Sequence, residues 1–145
     1  MPRTERIRAS AAERFLWLVL AAVGLSVLSI AMSIEPNPLG FGTHTQLGLP
    51  PCGFLSLTGF PCPGCGLTTA FAHGVRGQWV SAGAANPLGL VLFVGTCAGI
   101  VVSAVAAYRG LTFGSVFDRL AVDRWALAMA GCGVAIWVAR LMAAI

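Results

Sequence analysis

Lysine is missing altogether from this 145-residue chain, and charge of either sign is scarce at 10% of residues. A soluble domain carries roughly 25% charged residues, so there is too little polar surface here to cover a globule in water. No acidic side chain falls inside any of the long apolar blocks, and no internal repeat or low-complexity tail interrupts the chain. Also missing is a paired acid–base constellation of the kind that proton-transfer catalysis uses. The arginines form no dense patch but sit beside apolar blocks, which excludes a nucleic-acid surface and points to membrane topology.

What is abundant is apolar: 57% of the residues are hydrophobic and the mean hydropathy is +0.85. Three blocks approach the length of about 20 residues that a helix needs to cross a hydrocarbon core. They run over residues 15–34 (FLWLVLAAVGLSVLSIAMSI), 88–108 (LGLVLFVGTCAGIVVSAVAAY) and 125–145 (WALAMAGCGVAIWVARLMAAI). An unpaired backbone amide in lipid costs several kcal/mol, so helices are expected. The first block has the basic lead of a signal peptide and a small-x-small triplet at Ser29–Ala31. Its apolar run exceeds the usual cleaved core, however, which favours an uncleaved anchor. The expectation is an all-α membrane protein with three transmembrane helices, plus a short interfacial or re-entrant helix after a C-x-x-C turn.

Arginine placement orients the chain. Arg3, Arg6, Arg8 and Arg14 lie in the tail of residues 1–14, and Arg109, Arg119 and Arg124 lie in the connection of residues 109–124. The long connection of residues 35–87 carries only Arg76. By the positive-inside rule the tail and the second connection are cytoplasmic, and residues 35–87 are external. Arg140, inside the third block, is expected to snorkel along its aliphatic stem to the outer headgroups, since no span offers it a carboxylate.

The external connection holds Pro36, Pro38, Pro50, Pro51, Pro61 and Pro63 and is expected to be irregular, yet its many apolar residues should fold it down onto the helix ends. From Gly66 the pattern turns helical: Leu67, Phe71, Val75 and Trp79 share one stripe over Leu67–Val80, with Trp79 at headgroup depth. Asn86-Pro87 reads as the cap and first residue of the second span. In the 109–124 connection, Phe113, Val116, Phe117 and Leu120 form a stripe, and Ser115 with Asp118 resembles a capping box. Gly95 and Gly99 make a G-x-x-x-G face, and Gly131-Cys132-Gly133 a second small-residue patch, suited to close helix packing or to oligomerisation.

Five cysteines remain to be placed. Cys97 and Cys132 lie within spans and read as small packing residues. Cys52, Cys62 and Cys65 form a C-x9-C-x2-C pattern in the external connection, where disulfides persist. Three chemistries fit. A Cys52–Cys62 or Cys52–Cys65 bridge would staple a loop of about ten residues with about 2–3 kcal/mol of stabilisation. A Cys62–Cys65 pair at a helix start would suit a redox centre. Cys52, Cys62, Cys65 and one of His44 or His73 would suit zinc or another soft metal. Without such a role, His44 reads as a solvated loop residue and His73 as a headgroup-level one.

The combination CPGCGLTTA followed by ANPL resembles the bacterial domain-of-unknown-function 2752 family of small multi-pass membrane proteins. Its core pattern is C-P-x-C-G-x-T-R-A, then a helix, then N-P. Here the matching positions are Cys62, Pro63, Cys65, Gly66, Thr68, Ala70, Asn86 and Pro87, with Cys52 as the upstream cysteine. The resemblance covers Cys52 to about Leu92. Thr69 stands where the family has Arg, so a function resting on that Arg would be absent here or served by Arg76. The resemblance implies a bacterial inner membrane protein and no particular reaction.

The chain is accordingly read first as a non-enzymatic accessory subunit or scaffold of a membrane complex, with the lipid bilayer and other membrane subunits or its own copies as partners and no obligatory cofactor. Two alternatives stand beside this. One is a thiol–disulfide oxidoreductase using Cys62 and Cys65 with Cys52 as shuttle partner. The other is a zinc- or copper-binding membrane protein using Cys52, Cys62, Cys65 and a histidine.

Overall fold

The computed structural model describes residues 8–144, so Arg3 and Arg6 of the basic lead lie outside the described residues. Among these residues there is no strand. Three helices are long and apolar enough to cross a membrane: α1 (Ala11–Ser33), α5 (Pro87–Arg109) and α7 (Val122–Ala144). Between them lie a 3-10 turn (Thr43–Leu47) and four short helices, α2 (Gly53–Thr58), α3 (Leu67–Gly74), α4 (Trp79–Ala85) and α6 (Phe113–Leu120).

α1 begins four residues before the apolar block because Ser10 and Glu13 close a capping box: Glu13 N donates to Ser10 Oγ at 3.2 Å and Ser10 N to Glu13 Oε2 at 2.9 Å. α5 starts where the sequence places it, with Gly89 N donating to Asn86 Oδ1 at 3.0 Å and Pro87 at the first helical position. The two helices run antiparallel. At one end Arg14 Nε donates to Ala107 O at 2.9 Å, and Trp17 Nε1 to Leu111 O at 2.9 Å. Trp17 also stacks on Phe113 at 4.0 Å, and with Ala106, Ala107 and Val116 it forms a small buried core. α6 therefore uses Phe113 and Val116 of its stripe, while Phe117 and Leu120 are exposed. Its cap is Thr112, whose Oγ1 accepts from Ser115 N at 3.3 Å, rather than the expected Ser115. A side chain three residues upstream of an amide reaches it, and Thr112 holds that place.

At the opposite end, the helix expected over Leu67–Val80 is broken into α3 and α4. Gly77 adopts φ of 72°, and His73 O accepts from both Arg76 N and Gln78 N, ending the ladder. The break folds α4 back beside α3, burying Ala70, Ala82 and Ala85 together, with Leu90 of α5 against them. Gly74 is required for the approach to α5: a Cβ there would lie 2.9 Å from the Phe93 ring. Phe71 and Trp79 pack on that same ring at 5.6 and 5.8 Å.

Arg76, the one arginine of the long connection, caps α1. Its guanidinium donates to Ala31 O (3.2 Å), Met32 O (3.0 Å) and Ile34 O (2.8 Å), and to Ala72 O (2.7 Å) near the end of α3. A cation at a helix C-terminus answers both the orphan carbonyls and the helix dipole. Arg76→Ala is expected to lower stability by about 2–4 kcal/mol, as charged hydrogen bonds are lost and buried acceptors are left unpaired. Glu35, 4.0 Å from Arg76 but 88% exposed, contributes little, so Glu35→Gln should change stability by less than about 0.5 kcal/mol. Unfolding of both variants in mild detergent checks the pair.

α7 is the least integrated of the three long helices: no residue of its apolar window is buried within the chain. The three long helices form an α1–α5 hairpin with α7 alongside, touching through places such as Gly133, where a Cβ would lie 3.0 Å from the Leu88 side chain.

Candidate functional site: a three-thiol cluster

The thiols come from two neighbouring turns. Cys52 follows Pro50-Pro51 and is the N-cap residue of α2. Cys62 and Cys65 lie in the turn that leads into α3. That turn ends on Gly66, whose φ of 90° sends the chain into the helix. A Cβ on Gly66 would lie 2.8 Å from Gly40 O and nearer still to Ala85 O. Only glycine lets the backbone pass there, and the strand of chain that passes carries Cys65.

Every carbonyl of the turn has a donor. Cys62 O accepts from Cys65 N (3.0 Å) and Gly64 O from Leu67 N (3.1 Å), both within the turn. The other three are served from outside it. Pro61 O accepts from Trp137 Nε1 (3.0 Å), and Pro63 O from Asn86 Nδ2 (3.3 Å). Cys65 O accepts from Asn86 Nδ2 (3.0 Å) and Arg140 (3.1 Å). Asn86 thus caps α5 with its oxygen and binds the cysteine turn with its nitrogen, which is why it is buried and fully satisfied.

This geometry brings Cys52, Cys62 and Cys65 together, with their three Sγ atoms all within 4.8 Å of one another. All are free thiols, with no disulfide among them. Cys65 is buried at 6% exposure and Cys52 and Cys62 are half-buried. Burial pushes the Cys65 thiol up to about 12, and hydrogen bonding from the Cys62 side chain adds to that. Cys62 N nonetheless donates to Cys65 Sγ at 3.3 Å. Cys52 is held below the usual thiol range, first by the Leu55 backbone amide at the start of α2 and then by the Cys62 side chain. The cluster opens into a largely apolar cavity of about 460 Å³, walled by Phe41, Leu55, Leu67, Thr68 and His44.

The two histidines separate. His44 lines this cavity, with Nε2 at 3.2 Å from Pro50 O. His73 lies on α3 with Nδ1 paired to Gln78 Oε1 and is not a member of the thiol cluster. Thr69 is fully buried, its hydroxyl 2.8 Å from that of Thr43, which in turn accepts from Asn37 N at 3.0 Å. The pair ties the 3-10 turn to α3 with neutral hydrogen bonds.

Two residues of the site escape sequence reasoning, Trp137 and Arg140. Arg140 finds its partners in the protein rather than at the headgroups: its guanidinium bridges Cys65 O and Ala85 O, both at 3.1 Å. Backbone carbonyls supply the partner that no carboxylate does. The available signal was an arginine without an acidic partner in an apolar block, three residues after a tryptophan, which puts both on one helix face.

No curated protein and no solved structure gives a significant match to the chain. The model of the family described as Protein of unknown function (DUF2752) matches residues 52–100. That segment contains all three clustered thiols and Asn86, while Trp137 and Arg140 lie beyond it. The match runs from the first thiol into the middle of α5, and over residues 52–100 the chain is similar to that family.

Proposed function

We propose that the protein is a small non-enzymatic membrane protein, an accessory subunit of a membrane complex, whose three-thiol cluster holds a thiophilic metal ion. The observation that carries this is the convergence of the Cys52, Cys62 and Cys65 sulfurs within 4.8 Å of one another. Thiolates select soft ions, Cu(I) and Zn(II) foremost. Three sulfurs suit trigonal Cu(I); tetrahedral zinc would need a fourth ligand, for which His44 on the cavity wall or a water is available. The positions of Arg8, Arg14, Arg109, Arg119 and Arg124 support a bacterial inner membrane orientation with residues 1–14 and 109–124 cytoplasmic and the thiols external. Gly95 and Gly99 present a small-residue face with nothing within 4 Å of either Cβ position, which supports a helix partner from another subunit or copy.

A thiol–disulfide oxidoreductase is the second reading, favoured by the depressed Cys52 thiol beside the C-x-x-C pair. In it, Cys62 and Cys65 would become a disulfide, passing two electrons and two protons to a disulfide substrate that leaves as two thiols.

The test is elemental analysis of protein purified reduced in mild detergent, followed by Cu(I) and Zn(II) titration of the metal-free form. The expected result is one ion per chain, lost in the C52S/C62S/C65S triple variant. A chain that carries no stoichiometric metal and takes up neither ion sinks the metal site. Alkylation trapping that finds Cys62 and Cys65 as a reversible disulfide in native membranes would favour the second reading.

A further inference from the structure

α7 buries none of its apolar window within the chain, yet it sends two donors into the cysteine turn. Trp137 Nε1 satisfies Pro61 O and Arg140 satisfies Cys65 O, so one contact falls just before Cys62 and the other on Cys65 itself. Arg140 also reaches Ala85 O, the carbonyl against which Gly66 is packed, and so spans the turn and the end of α4 with one planar fork. The Trp137 ring meets Phe54 of α2 edge-on at 6.3 Å, two residues after Cys52. α7 therefore touches both segments that supply thiols while contributing no thiol to the cluster.

We infer that Trp137 and Arg140 are positioning residues of the three-thiol cluster, and that α7 acts as the arm that holds Cys52, Cys62 and Cys65 converged. Where the cluster holds a metal, as proposed above, these two residues set the geometry offered to the ion. Groups that orient ligands from outside the coordination sphere typically govern 10–100-fold in metal affinity.

Two readouts separate this inference from the metal reading. The first needs no metal: the alkylation rate of each cysteine in the folded, metal-free full-length protein, followed by mass spectrometry. In Arg140→Gln the rate at Cys65 is expected to rise at least about tenfold, with Cys97 and Cys132 unchanged; general loosening would raise all five. Trp137→Phe, which keeps the ring against Phe54 but loses the donor, should shift Cys62 and Cys65 in the same direction by less. Arg140→Lys, a cation without the fork, should fall between wild type and Arg140→Gln. The second readout is Co(II) binding, whose visible spectrum reports ligand geometry. Arg140→Gln is expected to weaken affinity about 10–100-fold with an altered spectrum at unchanged stoichiometry. Wild-type alkylation rates at Cys62 and Cys65 in both Arg140→Gln and Trp137→Phe would overturn the inference. A wild-type chain that takes up no metal would overturn the metal reading and leave the alkylation result to decide this one.

Discussion

Replacing Gly66 with alanine is expected to dismantle the site and to be among the most damaging single changes in the chain. The residue sits at φ of 90°, a region where an L side chain costs about 1–2 kcal/mol before any contact is considered. The new methyl would also meet Gly40 O at 2.8 Å and Ala85 O closer still, and both are backbone atoms that cannot swing aside. Relief requires moving the cysteine turn away from α4, and Ala85 O and Cys65 O are the two carbonyls that Arg140 joins. A loss of about 3–5 kcal/mol is expected, the upper range for single substitutions, together with loss of metal uptake. Gly64→Ala is the control: it lies in the same turn, and its Cβ would meet only Leu67 Cδ1 at 3.6 Å and Cys62 Sγ at 3.8 Å. Detergent unfolding curves should show Gly64→Ala within about 1 kcal/mol of wild type. Equal stability of the two variants would contradict the described path of the chain.

Cys65→Ser should lower Cu(I) affinity by more than about 100-fold, beyond what loss of a ligand-orienting group removes. It should also change how affinity depends on pH. Because burial pushes the Cys65 thiol up to about 12, that group stays protonated across the physiological range. A metal ion must expel its proton to bind, so this thiol alone makes apparent affinity rise about tenfold per pH unit up to about pH 12. Cys52, held low, loses its proton earlier and adds to the slope only at lower pH. Serine at position 65 removes the steep component. Competition titrations at several pH values check the slope, and an unchanged slope in Cys65→Ser would mean that Cys65 does not ligate. Without metal the sign reverses for folding: the unfolded thiol ionises near 9.0 while the folded one does not, so the metal-free protein loses stability as pH rises from 9.0 towards about 12.

Several of these features were legible in the residues alone. Long apolar runs gave the three long helices because a backbone in an apolar medium has few ways to satisfy itself. Asn86-Pro87 marked the start of α5 by local chemistry, and Cys52 was grouped with Cys62 and Cys65 from position in the loop. What was not legible depended on contacts between distant segments. The Leu67 stripe continues through Val75 and Trp79, but Gly77 and the packing of Ala70 on Ala82 and Ala85 favour a fold-back over one continuous helix. His73 was a candidate ligand by helical spacing, and the turn at its own C-terminus gives its ring Gln78 instead. The partners of Arg140 are carbonyls more than fifty positions away, which no local pattern encodes.

The hydrogen bond between Arg140 and Cys65 joins residues 75 positions apart, so the thiols are synthesised well before their clasp. A nascent chain therefore exposes its cysteines for the whole time that α5, α6 and most of α7 are being made. Until Trp137 and Arg140 are made, Pro61 O and Cys65 O lack their α7 donors, and Asn86 is the side chain outside the turn that holds it. A chain that stops short of α7 lacks both of these donors, so it differs from one that includes α7 at Pro61 O and Cys65 O, on the turn that carries Cys62 and Cys65.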